Sequence, residues 1–234
     1  MKMIDTRRVL PNIIKNMFLK KLSALIILGG ALVFLQIWCS ATASERMHNI
    51  SLTADKGRGE VRITGHVQKT DSPRMTDWGQ KNQALLGTRN GDYNDHFVFL
   101  IDAQVQDIYK ALLEIGADPD FNPEMEMPGS PVEIIIQWIE KGQSNQMLYQ
   151  NFFLQKAPNG SEKESISWEP DLVFHGLGAK KGVNTGCLAC PVYCPGGIIG
   201  DQIKPANIPI LRADWETLPE PGTEITAVIR VVGR

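Results

Sequence analysis

Residues 60–66 alternate apolar and polar side chains, with Val61 and Ile63 set against Arg62, Thr64 and His66. A period of two predicts a half-buried strand. Residues 67–95 break that pattern. They are polar and turn-rich, with Asp71–Ser72–Pro73 and Asn90–Gly91–Asp92, and predict a long surface loop with one short helix around Gln80–Leu86. Phe97–Ile101 is a short apolar run that predicts a buried strand. After it the period changes to that of a helix. Val105, Ile108, Leu112 and Ile115 recur three and four residues apart, Asp102 stands where a cap belongs, and Gly116 supplies a left-handed stop.

The later segments return to strand signals. Val132–Glu140 predicts a long strand with Ile134, Ile136 and Trp138 on one face. Residues 141–145 are turn material, and Gln146–Leu154 predicts the return strand of a hairpin. Leu172–Phe174 and Ile225–Val232 predict two more strands, the second after a turn at Pro219–Gly222. Strands outnumber helices and do not alternate with them. The expectation is an α+β, strand-rich single domain, with an antiparallel or mixed sheet and one main amphipathic helix.

The first 43 residues read differently. Lys20–Lys21 precede an apolar run from Leu22 to Trp38, and Ala41–Thr42–Ala43 follows. A basic region, an apolar region and a small-residue site predict a signal peptide over 1–43, cleaved after Ala43, with an uncleaved anchor as the alternative. Residues 44–234 are then an extracytoplasmic, periplasmic domain that meets a membrane only through the N-terminal segment. Arg7–Arg8 in Thr6–Arg7–Arg8–Val9–Leu10 fits part of a twin-arginine signal, but Pro11 and the gap to the apolar run do not. Trp38 before Cys39 departs from a lipoprotein signal.

Charge sharpens this division. Residues 1–43 hold six of the 24 basic and one of the 26 acidic residues, which leaves 18 and 25 and a net of −7 for the remainder. An acidic body argues against a nucleic-acid partner. A hydrophobic content of 43% supports a core that needs no disulfides. His48, His66, His96 and His175 form no H-E-x-x-H pair, and no nucleophile elbow, phosphate loop or dinucleotide fingerprint is present. Asp92, Asp95 and His96 are read as turn residues, and Trp138, Trp168 and Trp215 as core or sheet-edge aromatics.

The chemistry concentrates in one segment. Beyond Ala43 the chain has three cysteines, Cys187, Cys190 and Cys194, spaced C-x2-C-x3-C before Pro195–Gly196–Gly197. Three readings stand open. The spacing matches the last three cysteines and the proline of the bacterial ferredoxin run and lacks the first, which makes a 4Fe-4S iron–sulfur cluster one reading. His175, in Phe174–His175–Gly176, is then a candidate fourth ligand. A Cys3His zinc site is the second. A disulfide with one thiol left over is the third.

Three stretches resemble the bacterial YdjY-type secreted proteins, which are described as ferredoxin-like. They are His96–Leu100 continuing through Asp107–Ala117, Gly129–Ile134 running on to Trp138, and Thr185–Gly197. The resemblance implies an exported domain with an iron–sulfur motif. The function expected is an electron-transfer or redox accessory protein rather than an enzyme, with a redox partner protein. The alternative is a non-catalytic binding domain in which the cysteine loop is structural.

Overall fold

The computed structural model describes residues 51–68, 86–157, 165–204, 207 and 209–233. The expected signal peptide or anchor, and most of the expected helix at Gln80–Leu86, lie outside these residues. Among the described residues no helix is long and apolar enough to cross a membrane.

Thirteen strands are described, numbered in chain order: β1 Leu52–Asp55, β2 Glu60–Val67, β3 Leu86–Thr88, β4 Phe99–Ile101, β5 Ser130–Glu140, β6 Gln143–Leu148, β7 Phe153–Lys156, β8 Ser165–Ser167, β9 Leu172–Phe174, β10 Cys187–Cys190, β11 Ile199–Asp201, β12 Leu211–Ala213 and β13 Glu224–Val231. Two helices are described, α1 Val105–Glu114 and α2 Leu177–Lys181. The main sheet runs β2-β13-β5-β9-β11-β10-β3-β4, and β4 pairs back onto β2. That last pairing closes eight strands into a mixed barrel. The expected strand-rich domain with a mixed sheet is found, and the sheet is closed into a barrel with two short helices in place of one main helix. Closure leaves no unpaired edge in the ring. β1 and β6 attach outside it, and β12-β7-β8 forms a separate small sheet.

Seam and register have local causes. At the closure Gly65 faces Ile101. A Cβ on Gly65 would stand 2.3 Å from the Leu100 carbonyl oxygen, so the two strands reach this spacing only with glycine there. At β13, Arg230 is the cross-strand partner of both Glu60 and Glu133. Its guanidinium reaches them at 2.6 and 3.1 Å. A slip of one residue would turn Arg230 to the other face and part these charges.

The core follows the sequence pattern closely. Val61, Ile63, Ile134 and Ile136 are buried, and so are Ile108, Leu112 and Ile115 on one stripe of α1. Each such side chain contributes about 1.5–3 kcal/mol by leaving water. Gly116 has φ 87° and ends the helix as expected. The cap does not: Gln104 occupies it, and Asp102 instead accepts hydrogen bonds from Arg89. The hairpin turn is shorter than expected. Lys141 and Gly142 both have positive φ, as a two-residue turn requires. The return strand therefore ends at Leu148, and Tyr149–Phe152 coils into a 3-10 turn. That turn buries Tyr149 and Phe152, which meet Phe99 and Trp168 in edge-on and tilted ring contacts. Leu86, expected in a helix, lies in β3.

Candidate functional site

Cys187 and Cys190 open and close β10. Three residues apart on a regular strand they would point to opposite faces. The register against β3 prevents this. Cys187 pairs with Gly87 and Ala189 with Leu86, so two steps along β10 match one step along β3. This bulge shifts the phase of the strand by one residue. Leu188 and Ala189 enter the main core, while Cys187 and Cys190 join a second cluster with Phe97 and Leu100. The Phe97 ring lies across β3, where a Cβ on Gly87 would stand 2.2 Å from it. Gly87 thus makes room for the floor on which the sulfurs pack.

Cys194 arrives by a different route. β10 and β11 are parallel neighbours, yet only residues 191–198 join them. A parallel crossover usually takes a dozen residues or more, so this one is drawn tight. Pro191 cannot extend the ladder. Gly197 N–H donates to the Cys194 carbonyl at 3.2 Å, and Gly178 N–H to the Gly197 carbonyl at 2.7 Å. Tyr193 O–H donates to the Pro128 carbonyl at 2.8 Å. The Thr185 hydroxyl ties the two ends together. It accepts from Cys187 N–H at 3.3 Å and donates to the Gly196 carbonyl at 2.7 Å.

Gly196 and Gly197 hold the sulfurs from the other side. A Cβ on Gly197 would lie 3.0 Å from Cys190 Sγ, and one on Gly196 3.7 Å from Cys194 Sγ. Gly196 N–H points at Cys194 Sγ, 3.4 Å away. None of the three cysteines is in a disulfide. Cys190 is buried between the other two, which are half-exposed.

This placement sets their acidities. The neighbouring Cys187 and Cys194 sulfurs, either of which can accept its single S–H, and then burial push the Cys190 thiol well up. Cys187 is lowered, first by the Cys190 hydrogen bond and then by Thr185. Cys194 falls to about 6, through Cys190 first, then Gly196 and Gly197 N–H and the Lys181 charge, against burial. The site therefore presents two acidic thiols around one that keeps its proton.

The structure places His175 elsewhere in the wall. It follows β9 and is 1% exposed. Its Nδ1 accepts Leu177 N–H at 3.1 Å, its ring meets Tyr193 in a tilted contact with centroids 4.4 Å apart, and its Nε2 faces Gly200 without a hydrogen-bond partner. Among the described residues no group of three or more His, Cys, Asp or Glu is arranged to hold a metal ion. The donor chemistry suits a thiophilic metal or cluster, with three sulfurs and N–H groups aimed at one of them. In the described structure the three sulfurs are free thiols, Cys187 and Cys194 packing against the cluster of Cys190, Phe97 and Leu100.

Sequence reasoning found the cysteines and missed what seats them: Thr185, Phe97, Leu100 and the 89–93 turn. That turn joins the site through Asp92 N–H to Asn184 O at 2.8 Å and Tyr93 N–H to Thr185 O at 3.2 Å. A hydroxyl two residues before a cysteine was the available signal for Thr185. Thr185→Val removes both bonds of the clip. We expect a stability loss of about 1–2 kcal/mol and a higher Cys187 thiol pKa, read from the pH dependence of its alkylation by mass spectrometry. Thr185→Ser should restore both, and equal behaviour of the two variants would refute the clip.

Comparison with known proteins gives one family. The sequence model of the YdjY domain matches residues 52–230. No curated protein and no solved structure matches the chain.

Proposed function

The chain belongs to the YdjY domain family, and on that premise we propose that it is an exported redox accessory protein whose Cys187, Cys190 and Cys194 hold an iron–sulfur cluster or a single thiophilic ion such as zinc. The observation that carries this reading is the convergence of three sulfurs from a bulged strand and a tight loop onto one floor. Two supporting features concern the charge on sulfur. Cys187 and Cys194 have lowered pKa values, and it is the thiolate that binds metals. Gly196 N–H donates to Cys194 Sγ, a contact that tunes the potential of bound clusters.

When bound, the group would supply one-electron transfer (a cluster) or a structural clamp (zinc). The chain itself supplies the thiolates, the N–H donor and a wall of Phe97 and Leu100 that keeps water from Cys190. With three sulfur ligands, a fourth position is left to an outside ligand or to His175 after rearrangement. The expected partner is a redox protein outside the cytoplasm. Export is supported by the pattern of residues 1–43.

The test is purification without air, followed by iron, acid-labile sulfide and zinc analysis. We expect a stoichiometric metal that each Cys→Ser variant loses while the fold persists. A metal-free, colourless protein with a native disulfide would sink the proposal. The rival, a binding domain with a structural cysteine loop, draws on the packing of the sulfurs against Phe97 and Leu100. It expects the serine variants to lose stability without losing any bound group.

A further inference from the structure

The order of the three thiols supports a second activity, distinct from holding a metal. Cys194 is half-exposed, sits in a loop outside any strand ladder, and receives the Gly196 N–H at 3.4 Å. Cys190 is 4% exposed, and Cys194 packs against the cluster that Cys190 forms with Phe97 and Leu100. An outside molecule meets the partly exposed Cys194 or Cys187 before the buried Cys190, and what is attached to an outer sulfur meets Cys190 next. Cys187 has a different standing, because the β10–β3 ladder and the Thr185 clip fix its backbone. An exposed sulfur backed by a buried one is the arrangement that thiol–disulfide exchange requires.

We propose that the metal-free chain exchanges disulfides, with Cys194 as the attacking thiolate and Cys190 as the resolving thiol, toward a disulfide-bonded substrate. The proposal does not rest on metal binding. In the first step Cys194 Sγ bonds to one sulfur of the substrate. The substrate S–S bond breaks, and the other half leaves as a thiolate. In the second step Cys190 Sγ bonds to Cys194 Sγ. The mixed disulfide breaks, the remaining half leaves with the electron pair, and the Cys190 proton ends on a departing thiolate. The substrate disulfide is reduced to two thiols, and the Cys190/Cys194 pair is oxidised to a disulfide. No other reductant or oxidant is consumed. The Gly196 N–H stabilises the charge on Cys194 sulfur as the attacking thiolate, and equally when the first step runs in reverse and Cys194 leaves the mixed disulfide.

Removing the resolving sulfur should trap the intermediate. The full chain and its Cys190→Ser and Cys194→Ser variants are kept in chelator and incubated with oxidised glutathione, and separately with insulin as a protein disulfide. Peptide mapping by mass spectrometry reads the adducts, and the metal content of the same preparation is measured before chelation. Cys190→Ser should hold a mixed disulfide on Cys194 at least about tenfold longer than the unmodified chain, which should instead end with a Cys190–Cys194 link. Cys194→Ser should hold none. Reaction with glutathione alone, or with insulin as well, assigns the substrate source. If Cys190→Ser misfolds by circular dichroism, Cys190→Ala takes its place. Equal adduct lifetimes in the unmodified chain and the Cys190 variant, or a link containing Cys187, overturns the proposal. Metal without exchange defeats this inference alone, and exchange without metal defeats the metal reading alone.

Discussion

Phe97→Ala should lower the unfolding free energy by about 3–5 kcal/mol, the cost of emptying an aromatic site in a well-packed interior. Phe97 is fully buried, and its ring lies across Gly87 and beneath Cys190. Gly87 on the facing strand has no side chain to move into the space. The loss should reach the chemistry too. Cys187 and Cys190 pack on this ring, so alkylation of Cys190 should become faster. Phe97→Leu keeps most of the volume and should cost less than half as much. Urea unfolding measures both variants. A change of less than about 1 kcal/mol for Phe97→Ala, with an unchanged denaturant slope, would show that Phe97 is not the floor of the site.

The second large effect is acid lability through His175. Burial first, and the Lys180 charge next, lower its pKa from 6.5 to about 4. The folded state therefore favours the neutral ring. Its contribution is fully present above pH 6.5 and is lost as pH falls from 6.5 toward 4. A gap of this size corresponds to roughly 3 kcal/mol. Asp201 works in the opposite direction. Burial raises its carboxyl from 3.8 to about 6, so its contribution is fully present below 3.8 and is lost as pH rises through 6. The wild-type profile sums the two, and the variants separate them. Comparing unfolding at pH 7 and pH 4.5, His175→Gln should lose less stability than wild type on acidification, and Asp201→Asn should lose more. A His175→Gln slope equal to that of wild type would remove His175 as the cause.

The resting state of His175 also bears on its candidacy as a ligand. Nδ1 is engaged with Leu177 N–H, and Nε2 faces the backbone at Gly200. A ligand role would require the ring to leave its tilted contact with Tyr193. The same burial that makes it acid-sensitive holds it away from exchange with solvent.

The elements that could be read along the chain are those whose side chains carry a period. β2, β5, β13 and α1 lie within a few residues of their expected ranges, because alternation or a three-and-four spacing reflects one buried face. β3, β9 to β11 and the 3-10 turn at Tyr149–Phe152 are too short for a period to show. Of these, only Leu172–Phe174 was marked, by its apolar run. The YdjY resemblance rested on longer stretches, and the family match over residues 52–230 bears it out.

The sequence alone determined the strand-rich composition, the amphipathic helix with its Gly116 stop, the family, and the identity of the three sulfurs. Each of these depends on residue types and local spacing. Barrel closure depended on β4 finding β2 across more than 30 residues, which no local period encodes. The sulfur cluster depended on a one-residue bulge between Cys187 and Ala189. Without that bulge the C-x2-C spacing on a strand would send its thiols to opposite faces. Only the pairing with β3 decides that they meet, and only the burial of Cys190 beside its neighbours decides which two of the three are acidic and which keeps its proton.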